Sequence, residues 1–112
     1  MSKLKVGIIG VGGIAKLHVP GWQMSEHTEL IAGSDINKSI LEDWGNTNQI
    51  KKLYHDPLDM INDPDIDIID ICAPNNYHCD LAIKAMQAGK DVLCEKPLAP
   101  NASQIKKMIE VR

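Results

Sequence analysis

A short glycine-rich segment near the start of the chain could bind phosphate groups. Residues 10–15, Gly-Val-Gly-Gly-Ile-Ala, fit the pattern G-x-G-x-x-G/A with alanine in the third place. Between a strand and a helix, the first glycine permits a tight turn, the second lets a pyrophosphate approach the backbone, and the third small residue lets the helix pack closely. The helix N-terminus adds unpaired N–H groups and the positive end of its dipole. The sequence therefore predicts dinucleotide contacts from Gly10, Gly12, Gly13, Ile14 and Ala15.

An acidic residue follows this loop at the spacing that a dinucleotide site requires. Asp35 ends the next apolar run, 25 positions after Gly10, near the expected distance of about 20 residues. Its carboxylate can accept hydrogen bonds from the hydroxyls of the adenosine ribose and would repel a 2′-phosphate. We therefore expect NAD in preference to NADP, with Ile36 as a further contact and Lys38 as the one nearby cation that weakens the preference. The alternative is a glycine turn followed by a solvated aspartate.

Two polar segments in the second half of the chain could complete such a site. Residues 72–78 (CAPNNYH) end one apolar run, and residues 89–99 (GKDVLCEKPLA) surround another. Ligands of open parallel sheets bind outside the carboxyl ends of the strands, so we expect both segments to face the same crevice as the glycine loop. The sequence Glu95-Lys96-Pro97 in such a place is difficult to explain by packing alone.

Alternating strands and helices are needed to position these motifs. Apolar runs predict strands at 4–9, 29–34, 52–54, 66–73 and 91–94. Periodicity and capping residues predict helices at 14–25, 37–44, 76–88 and after Asn101, with a helical turn at 56–61. We expect Pro20 to disturb the first helix, Gly45 to end the second, and Gly89 to cap the helix at 76–88. The pattern predicts an α/β fold of the Rossmann type, a doubly wound, mainly parallel sheet in the order 3-2-1-4-5 with helices on both faces.

Length and composition exclude several classes of protein. The 112 residues suffice for one domain, and a net charge of −3 argues against a dedicated nucleic-acid binder. No apolar run approaches the roughly 18 residues of a membrane helix, and the first residues make a poor signal peptide. The 3 cysteines are dispersed and odd in number, so we expect reduced thiols in a cytoplasmic protein.

Several other polar residues receive structural interpretations. His18, His27 and His55 show no metal-ligand spacing with one another or with the cysteines, so we predict no metal site. Cys72, at the end of a predicted strand, is expected to be a small buried thiol. Asp70 interrupts an otherwise apolar strand, where a buried charge is costly without a partner, and the sequence offers no explanation for it.

These motifs together resemble the nucleotide-binding domain of the Gfo/Idh/MocA oxidoreductase family, which includes glucose-fructose oxidoreductase and inositol dehydrogenase. The resemblance runs from residue 5 to about residue 109. It is carried by the glycine loop, Asp35, A-P-N-x-x-H at 73–78, A-G-K-x-V at 88–92 and E-K-P at 95–97. The resemblance implies that Lys96 is the catalytic residue beside the nicotinamide and the substrate. It also implies further cofactor contacts from Ala73, Pro74, Asn75, His78, Glu95, Lys96 and Pro97.

The resemblance further implies a larger enzyme. Members of the family carry a second, α+β domain that binds the substrate, supplies an Asp and a His for catalysis, and usually forms the oligomer interface. That domain would begin near Arg112, so residues 1–112 are interpreted as the NAD(P)-binding domain without the substrate domain. The chain is then either an excised domain or a natural short form, and its end inside a predicted helix favours the first.

Two functions fit this sequence. The first is the nucleotide-binding domain of an NAD(P)-dependent dehydrogenase that acts on a sugar, polyol or small carbonyl compound, with Lys96 assisting proton movement. The second is a non-catalytic dinucleotide sensor on the same fold, which would have no need of a lysine at the hydride site. The expected partners are a dinucleotide and a small-molecule substrate, with no nucleic acid and no membrane. We expect this chain alone to bind dinucleotide without turnover, and the full-length form to be a homo-oligomer.

Overall fold

The structure is a computed structural model that describes residues 3–12, 15–72 and 75–94. Within its helices and strands, the side chains at positions 17, 75–79 and 94 are not described. The predicted site residues Gly13, Ile14, Ala73, Pro74 and residues 95–97 lie outside the described part of the chain, as does the helix expected after residue 101.

Five parallel strands form one sheet and confirm the predicted topology. The strands are β1 (Leu4–Ile9), β2 (Thr28–Ser34), β3 (Lys52–Tyr54), β4 (Ile68–Ile71) and β5 (Asp91–Cys94). They pair in the order β3-β2-β1-β4-β5, and every pair is parallel. The chain order reverses at β1, so the carboxyl ends of β1 and β4 flank the point where open α/β sheets bind their ligands.

Within the described residues, four helices cover the two faces of the sheet. They are α1 (Ala15–Met24), α2 (Lys38–Asn48), α3 (Pro57–Ile61) and α4 (Asn75–Gln87). Side chains of α1 and α2 pack with Val6 and Ile8 of β1 on one face. Side chains of α3 and α4 pack with Ile9 on the other. Because both faces are buried, the central strands are mostly apolar, as is usual in parallel sheets, and Asp70 of β4 is a buried exception.

The second helix is longer than the sequence predicts. We expected Gly45 to end it, but α2 continues to Asn48, and its C-cap is Gln49 in the left-handed conformation (φ 59°). Gly45 is buried against β3, where an added Cβ would lie 2.8 Å from a methyl carbon of Leu53. The glycine is therefore needed for close packing of helix on strand, a role that the sequence does not distinguish from a helix stop.

Other element boundaries agree with the predictions to within a few residues. The expectation that Pro20 disturbs the first helix was wrong, because α1 continues through Pro20 without a break from Ala15 to Met24. Gly89 follows α4 with a φ of 84°, and its N–H donates to the carbonyl of Met86 at 3.0 Å. The strand predicted at 66–73 is shorter, since its ordered pairing runs only from Ile68 to Ile71. In the part of the chain that the structure describes, no helix has the length and apolar character needed to cross a bilayer.

Candidate dinucleotide site

The glycine loop leaves β1 through a backbone turn that favours glycine. Gly10 has a φ of 84°, a region that side chains with a Cβ rarely adopt. Its N–H donates to the carbonyl of Ser34 at the end of β2, at 2.7 Å. Ala15, the first residue of α1, is fully buried in the core cluster that includes Val6 and Ile8. The loop therefore turns sharply and brings the N-terminus of α1 against the sheet.

Gly12 has open space where a side chain would stand. Among the described residues, a Cβ built there would meet only Ile40, whose Cγ2 is 3.8 Å away, an ordinary van der Waals distance. By contrast, a Cβ at Gly45 would come to 2.8 Å from Leu53. Packing of the described chain therefore does not require glycine at position 12, and the open space suits a phosphate that must approach the backbone closely.

Asp35 is joined to the glycine loop by a hydrogen bond that the sequence did not predict. One carboxylate oxygen accepts the N–H of Val11 at 3.2 Å, and the other accepts the N–H of Asn37 at 2.8 Å. An ionised carboxylate has about four acceptor positions, so acceptor capacity remains for ribose hydroxyls. The two bonds hold the carboxylate between the end of β2 and the loop.

An exposed apolar side chain lies next to this acid. Ile36 is 77% exposed, an unusual position for a large aliphatic side chain directly after a buried strand. Lys38, at the start of α2, is also exposed, and its Nζ is 4.0 Å from a carboxylate oxygen of Glu42. The predicted adenosine side of the site thus offers an acid, an apolar side chain and a cation that already has an acidic neighbour.

A buried polar cluster lies beside the carboxyl end of β4. Asp70 is fully buried, and its Oδ2 lies 2.6 Å from Nδ1 of His18 and 2.7 Å from Nε1 of Trp22. The Sγ of Cys72 is 3.4 Å from Nδ1 of His18 and 3.6 Å from Oδ1 of Asp70. Sequence reasoning gave no role to Asp70. The available signal was a charge inside an apolar strand, together with a histidine and a tryptophan spaced i, i+4 on the first helix.

The same cluster is the metal-ligand candidate among the described residues. Donor atoms of His18, Asp70 and Cys72 all lie within 4.8 Å of one another. However, the short contact between His18 Nδ1 and Asp70 Oδ2 is a hydrogen bond, and it requires the Nδ1 proton at the position where a metal needs a lone pair. The observed geometry is therefore that of a hydrogen-bonded cluster.

The remaining predicted site residues follow β4 and β5. Asn75 and His78 lie in the first turn of α4, the helix that follows β4. The expectation that residues 89–99 all face the crevice was wrong for Gly89 and Lys90, which precede β5. The Nζ of Lys90 donates to the carbonyls of Asp63 and Ile66 before the start of β4. Lys90 therefore joins loops at the amino ends of the strands, away from the glycine loop.

A second polar cluster also lies before the start of β4. The carboxylate of Asp63 accepts hydrogen bonds from the hydroxyl of Tyr54 and from Nζ of Lys52. The Tyr54 hydroxyl, then the N–H of Asp65 and then Lys52, hold the pKa of Asp63 down from 3.8 to about 2. The same hydrogen bond raises the pKa of Tyr54. This cluster contributes to stability. Its link to the predicted cofactor residues is through the backbone, where the N–H of Asp35 donates to the carbonyl of Tyr54 at 3.3 Å.

The chain matches a known family model over nearly its whole length. Residues 4–112 match the Gfo/Idh/MocA model, described as an oxidoreductase family with an NAD-binding Rossmann fold. Myo-inositol 2-dehydrogenase of Thermotoga maritima is 35% identical over 107 residues, which cover 96% of this chain and 32% of that protein. The chain thus spans about a third of the length of this curated relative.

Solved structures support the same relationship. A probable dehydrogenase from Thermotoga maritima superposes with a TM-score of 0.91 at 35% identity, covering 96% of this chain and 32% of the other. A biliverdin reductase from Synechocystis sp. PCC 6803, in complex with biliverdin and NADP+, superposes with a TM-score of 0.89 at 28% identity. The match covers 96% of this chain and 34% of that one. The WlbA dehydrogenase of Bordetella pertussis, in complex with NADH and UDP-GlcNAcA, superposes with a TM-score of 0.89 at 27% identity. The match covers 97% of this chain and 34% of that one.

Proposed function

This chain belongs to the Gfo/Idh/MocA oxidoreductase family, and we propose that it is the dinucleotide-binding domain of an NAD(P)-dependent dehydrogenase. The enzyme would transfer hydride between the nicotinamide and an alcohol or carbonyl carbon of a sugar, a polyol or a related small molecule. The inositol dehydrogenase among its relatives and the sugar-nucleotide complex of one structural neighbour support this substrate class. Residues 1–112 form the domain, and the substrate domain of the family would follow it.

The observation that carries the proposal is the open space above Gly12 between two groups suited to a dinucleotide. On one side is the N-terminus of α1, whose N–H groups and dipole favour a pyrophosphate. On the other is Asp35, held in place by its bond from Val11. Gly10 supplies the turn and Ala15 anchors the helix. Gly13 and Ile14 are proposed as further cofactor contacts. The arrangement fits the phosphates and the adenosine ribose of NAD.

The adenosine side of the site favours NAD over NADP. Asp35 would accept hydrogen bonds from the ribose hydroxyls, and its negative charge would repel a 2′-phosphate. Ile36 offers an apolar surface to the adenine ring. Lys38 could attract a 2′-phosphate, but the acidic group of Glu42 lies 4.0 Å from its ammonium nitrogen. The structural neighbours include complexes of both cofactor types, one with NADP+ and one with NADH.

The nicotinamide side is assigned by the family resemblance. Ala73, Pro74, Asn75 and His78 would follow β4 along the nicotinamide, and Glu95 and Pro97 would follow β5. When bound, the nicotinamide supplies the hydride acceptor or donor. Lys96 would hold the reacting hydroxyl and assist the movement of its proton, as general acid–base catalysis requires.

In this proposal, dinucleotide binding and substrate turnover depend on different parts of the protein. Binding needs the glycine loop, the N-terminus of α1 and Asp35, whereas turnover also needs a bound substrate, exclusion of water and a proton-transfer partner for Lys96. The family supplies these from its second domain. We therefore expect the 112-residue chain to bind dinucleotide without measurable oxidation of sugars or polyols.

Two assays on the same purified chain test the proposal. Calorimetry or fluorescence titration should show saturable binding of NADH, tighter than that of NADPH. A panel of sugars and polyols with NAD should give no rate above a Lys96→Ala control. Absence of NADH binding would contradict the proposed function, and a Lys96-dependent rate would show that this chain is a complete enzyme.

A further inference from the structure

We propose that Asp70 is a positioning residue of the dinucleotide site, which it serves by fixing helix α1 to strand β4 through His18 and Trp22. The inference rests on the proposed function, because it concerns how the pyrophosphate and nicotinamide sides of that site are held in register. Asp70 itself touches no cofactor atom in this proposal. Its effect passes through the two elements that it joins.

The geometry of the hydrogen bonds supports a fixed connection. His18 and Trp22 lie one helical turn apart on α1, and both place a ring nitrogen within 2.7 Å of the same oxygen, Oδ2 of Asp70. A carboxylate only accepts hydrogen bonds, so both rings donate their N–H. Two donors from successive turns that meet at one acceptor restrict both the sliding of α1 along the sheet and its rotation about its own axis.

A carboxylate is a costly way to fill this position. Asp70 is fully buried, and its neighbours on the same face of β4 are Ile68 and Cys72, which pack in the core cluster with Val6 and Ile8. An aliphatic side chain would avoid the desolvation of a charge. Apolar packing is non-directional, however, whereas charge-assisted hydrogen bonds set both distance and angle. The residue type therefore favours a role in exact placement over a role in burial alone.

The connection lies close to both sides of the site. His18 is three positions after Ala15, where α1 begins, and Asp70 is one position before the end of β4 at Ile71. The next residue, Cys72, donates its N–H to the carbonyl of Ile9 at 2.7 Å, directly before Gly10. A small shift of α1 relative to β4 would thus change the distance between the pyrophosphate donors and the residues that follow β4.

The proposal predicts a selective effect on ligands that span both sides. NADH needs the loop and the end of β4 together, whereas AMP needs only the adenosine side at Asp35 and one phosphate position. Loss of the connection between α1 and β4 should therefore weaken the binding of NADH more than the binding of AMP. A purely structural role for Asp70 would lower stability without changing the ratio of the two dissociation constants.

Trp22→Phe is the main test variant, because it keeps an aromatic ring and removes one N–H donor. We expect the dissociation constant for NADH to rise at least about fivefold, roughly 1 kcal/mol, while that for AMP changes less than about twofold. Asp70→Asn retains an oxygen acceptor, so this variant should keep most of the NADH affinity that the Asp70→Val variant loses. Tyr54→Phe is the matched control, because it removes a donor to the buried carboxylate of Asp63. It should leave the ratio of the NADH and AMP dissociation constants unchanged.

The outcomes separate the two proposals. If the unsubstituted chain binds AMP and NADH and the ratio moves only in the Trp22 and Asp70 variants, the positioning role is supported. An unchanged ratio in a folded Trp22→Phe chain, or an equal change in Tyr54→Phe, would overturn it and leave the proposed function intact. Failure of the unsubstituted chain to bind NADH would overturn both. Thermal unfolding of each variant identifies any that does not fold. If Asp70→Val does not fold, Trp22→Phe still decides the test.

Discussion

Gly12 differs from the buried glycines of this fold in what surrounds it. At Gly45, a Cβ would lie 2.8 Å from a methyl carbon of Leu53 and 3.1 Å from the backbone oxygen of Ile50, so packing of the protein itself favours glycine. At Gly12 a Cβ would lie 3.8 Å from the nearest side chain of the described residues, that of Ile40. Packing among the described residues therefore does not call for glycine here, and Gly12 is a useful position at which to test the proposed binding site.

Gly12→Ala should separate ligand binding from folding. The added methyl group fits without strain, so the free energy of unfolding should stay equal or rise by up to about 1 kcal/mol, because alanine restricts the unfolded chain. The dissociation constant for NADH should rise about tenfold or more, since the methyl group occupies the approach of the pyrophosphate. Denaturant unfolding and NADH titration provide the two measurements.

Gly21→Ala is the matched control for this substitution. Gly21 lies in α1, and a Cβ there would meet no atom of the described residues within 4 Å. Alanine should stabilise the helix by about 1 kcal/mol and leave NADH binding unchanged. Equal loss of NADH affinity in both variants would show that the effect of Gly12→Ala arises in the helix and not at the pyrophosphate.

Asp35→Ala should change cofactor preference. Removal of the carboxylate takes away both the acceptor for ribose hydroxyls and the repulsion of a 2′-phosphate, so the ratio of NADPH to NADH dissociation constants should fall about tenfold. Affinity for NADH should also fall, because the loop loses the bond from Val11. Parallel titrations with the two cofactors measure the ratio, and an unchanged ratio would contradict the assignment of Asp35 to the ribose.

Helix α2 shows how contact with another element overrides a local signal. Glycine is common just after the end of a helix, yet α2 passes through Gly45. The reason for a glycine at this position is the close approach of β3, which leaves little room for a side chain. Its N-terminus, by contrast, follows the local rule, since the side chain of Asn37 accepts the N–H of Ile40 at 3.1 Å. The start of this helix was predictable from neighbouring residues, and its end was not.

Gly45→Ala therefore tests packing at the level of elements. In an exposed helix this change stabilises by about 1 kcal/mol. Here the methyl group would lie 2.8 Å from Leu53, so we expect destabilisation of about 1–3 kcal/mol, as overpacking usually causes. Urea unfolding gives the value. A stabilised variant would mean that β3 moves away from α2 at little cost.

The stability of the whole molecule should depend on pH through Asp63. Its pKa is lowered from 3.8 to about 2 in the folded chain, mainly by the hydroxyl of Tyr54. A lowered carboxyl pKa contributes stability that is present above the unfolded value and is lost as the pH falls through the folded value. We therefore expect a loss of stability between about pH 4 and pH 2.

Tyr54→Phe should reduce this pH dependence. At neutral pH the variant should be less stable by about 1.5–3 kcal/mol, the usual contribution of a hydrogen bond to a charged group. The difference from the unsubstituted chain should narrow as the pH falls from 4 to 2, because Asp63 loses its charge in both. Urea unfolding at several pH values measures it, and a constant difference would show that Asp63 does not cause the acid transition.

The sequence by itself determined the alternation of strands and helices, the strand order and the place of the glycine loop. These features follow from local patterns: continuous apolar runs, glycines before a helix, and an acid at the expected spacing. It also located Asp35 correctly at the end of β2. The family motifs also indicate Lys96 and its neighbours as site residues, whose roles stay predictions.

Only the tertiary structure decided which distant polar groups meet. Asp70 is separated from His18 by 52 positions and from Trp22 by 48, and no local rule pairs a strand residue with particular residues of an earlier helix. The bond from Val11 to Asp35, the close approach of Gly45 to β3 and the attachment of Lys90 to the loop before β4 have the same origin. Each depends on how elements pack across the sheet, which is fixed by the sum of many side-chain contacts rather than by any short stretch of sequence.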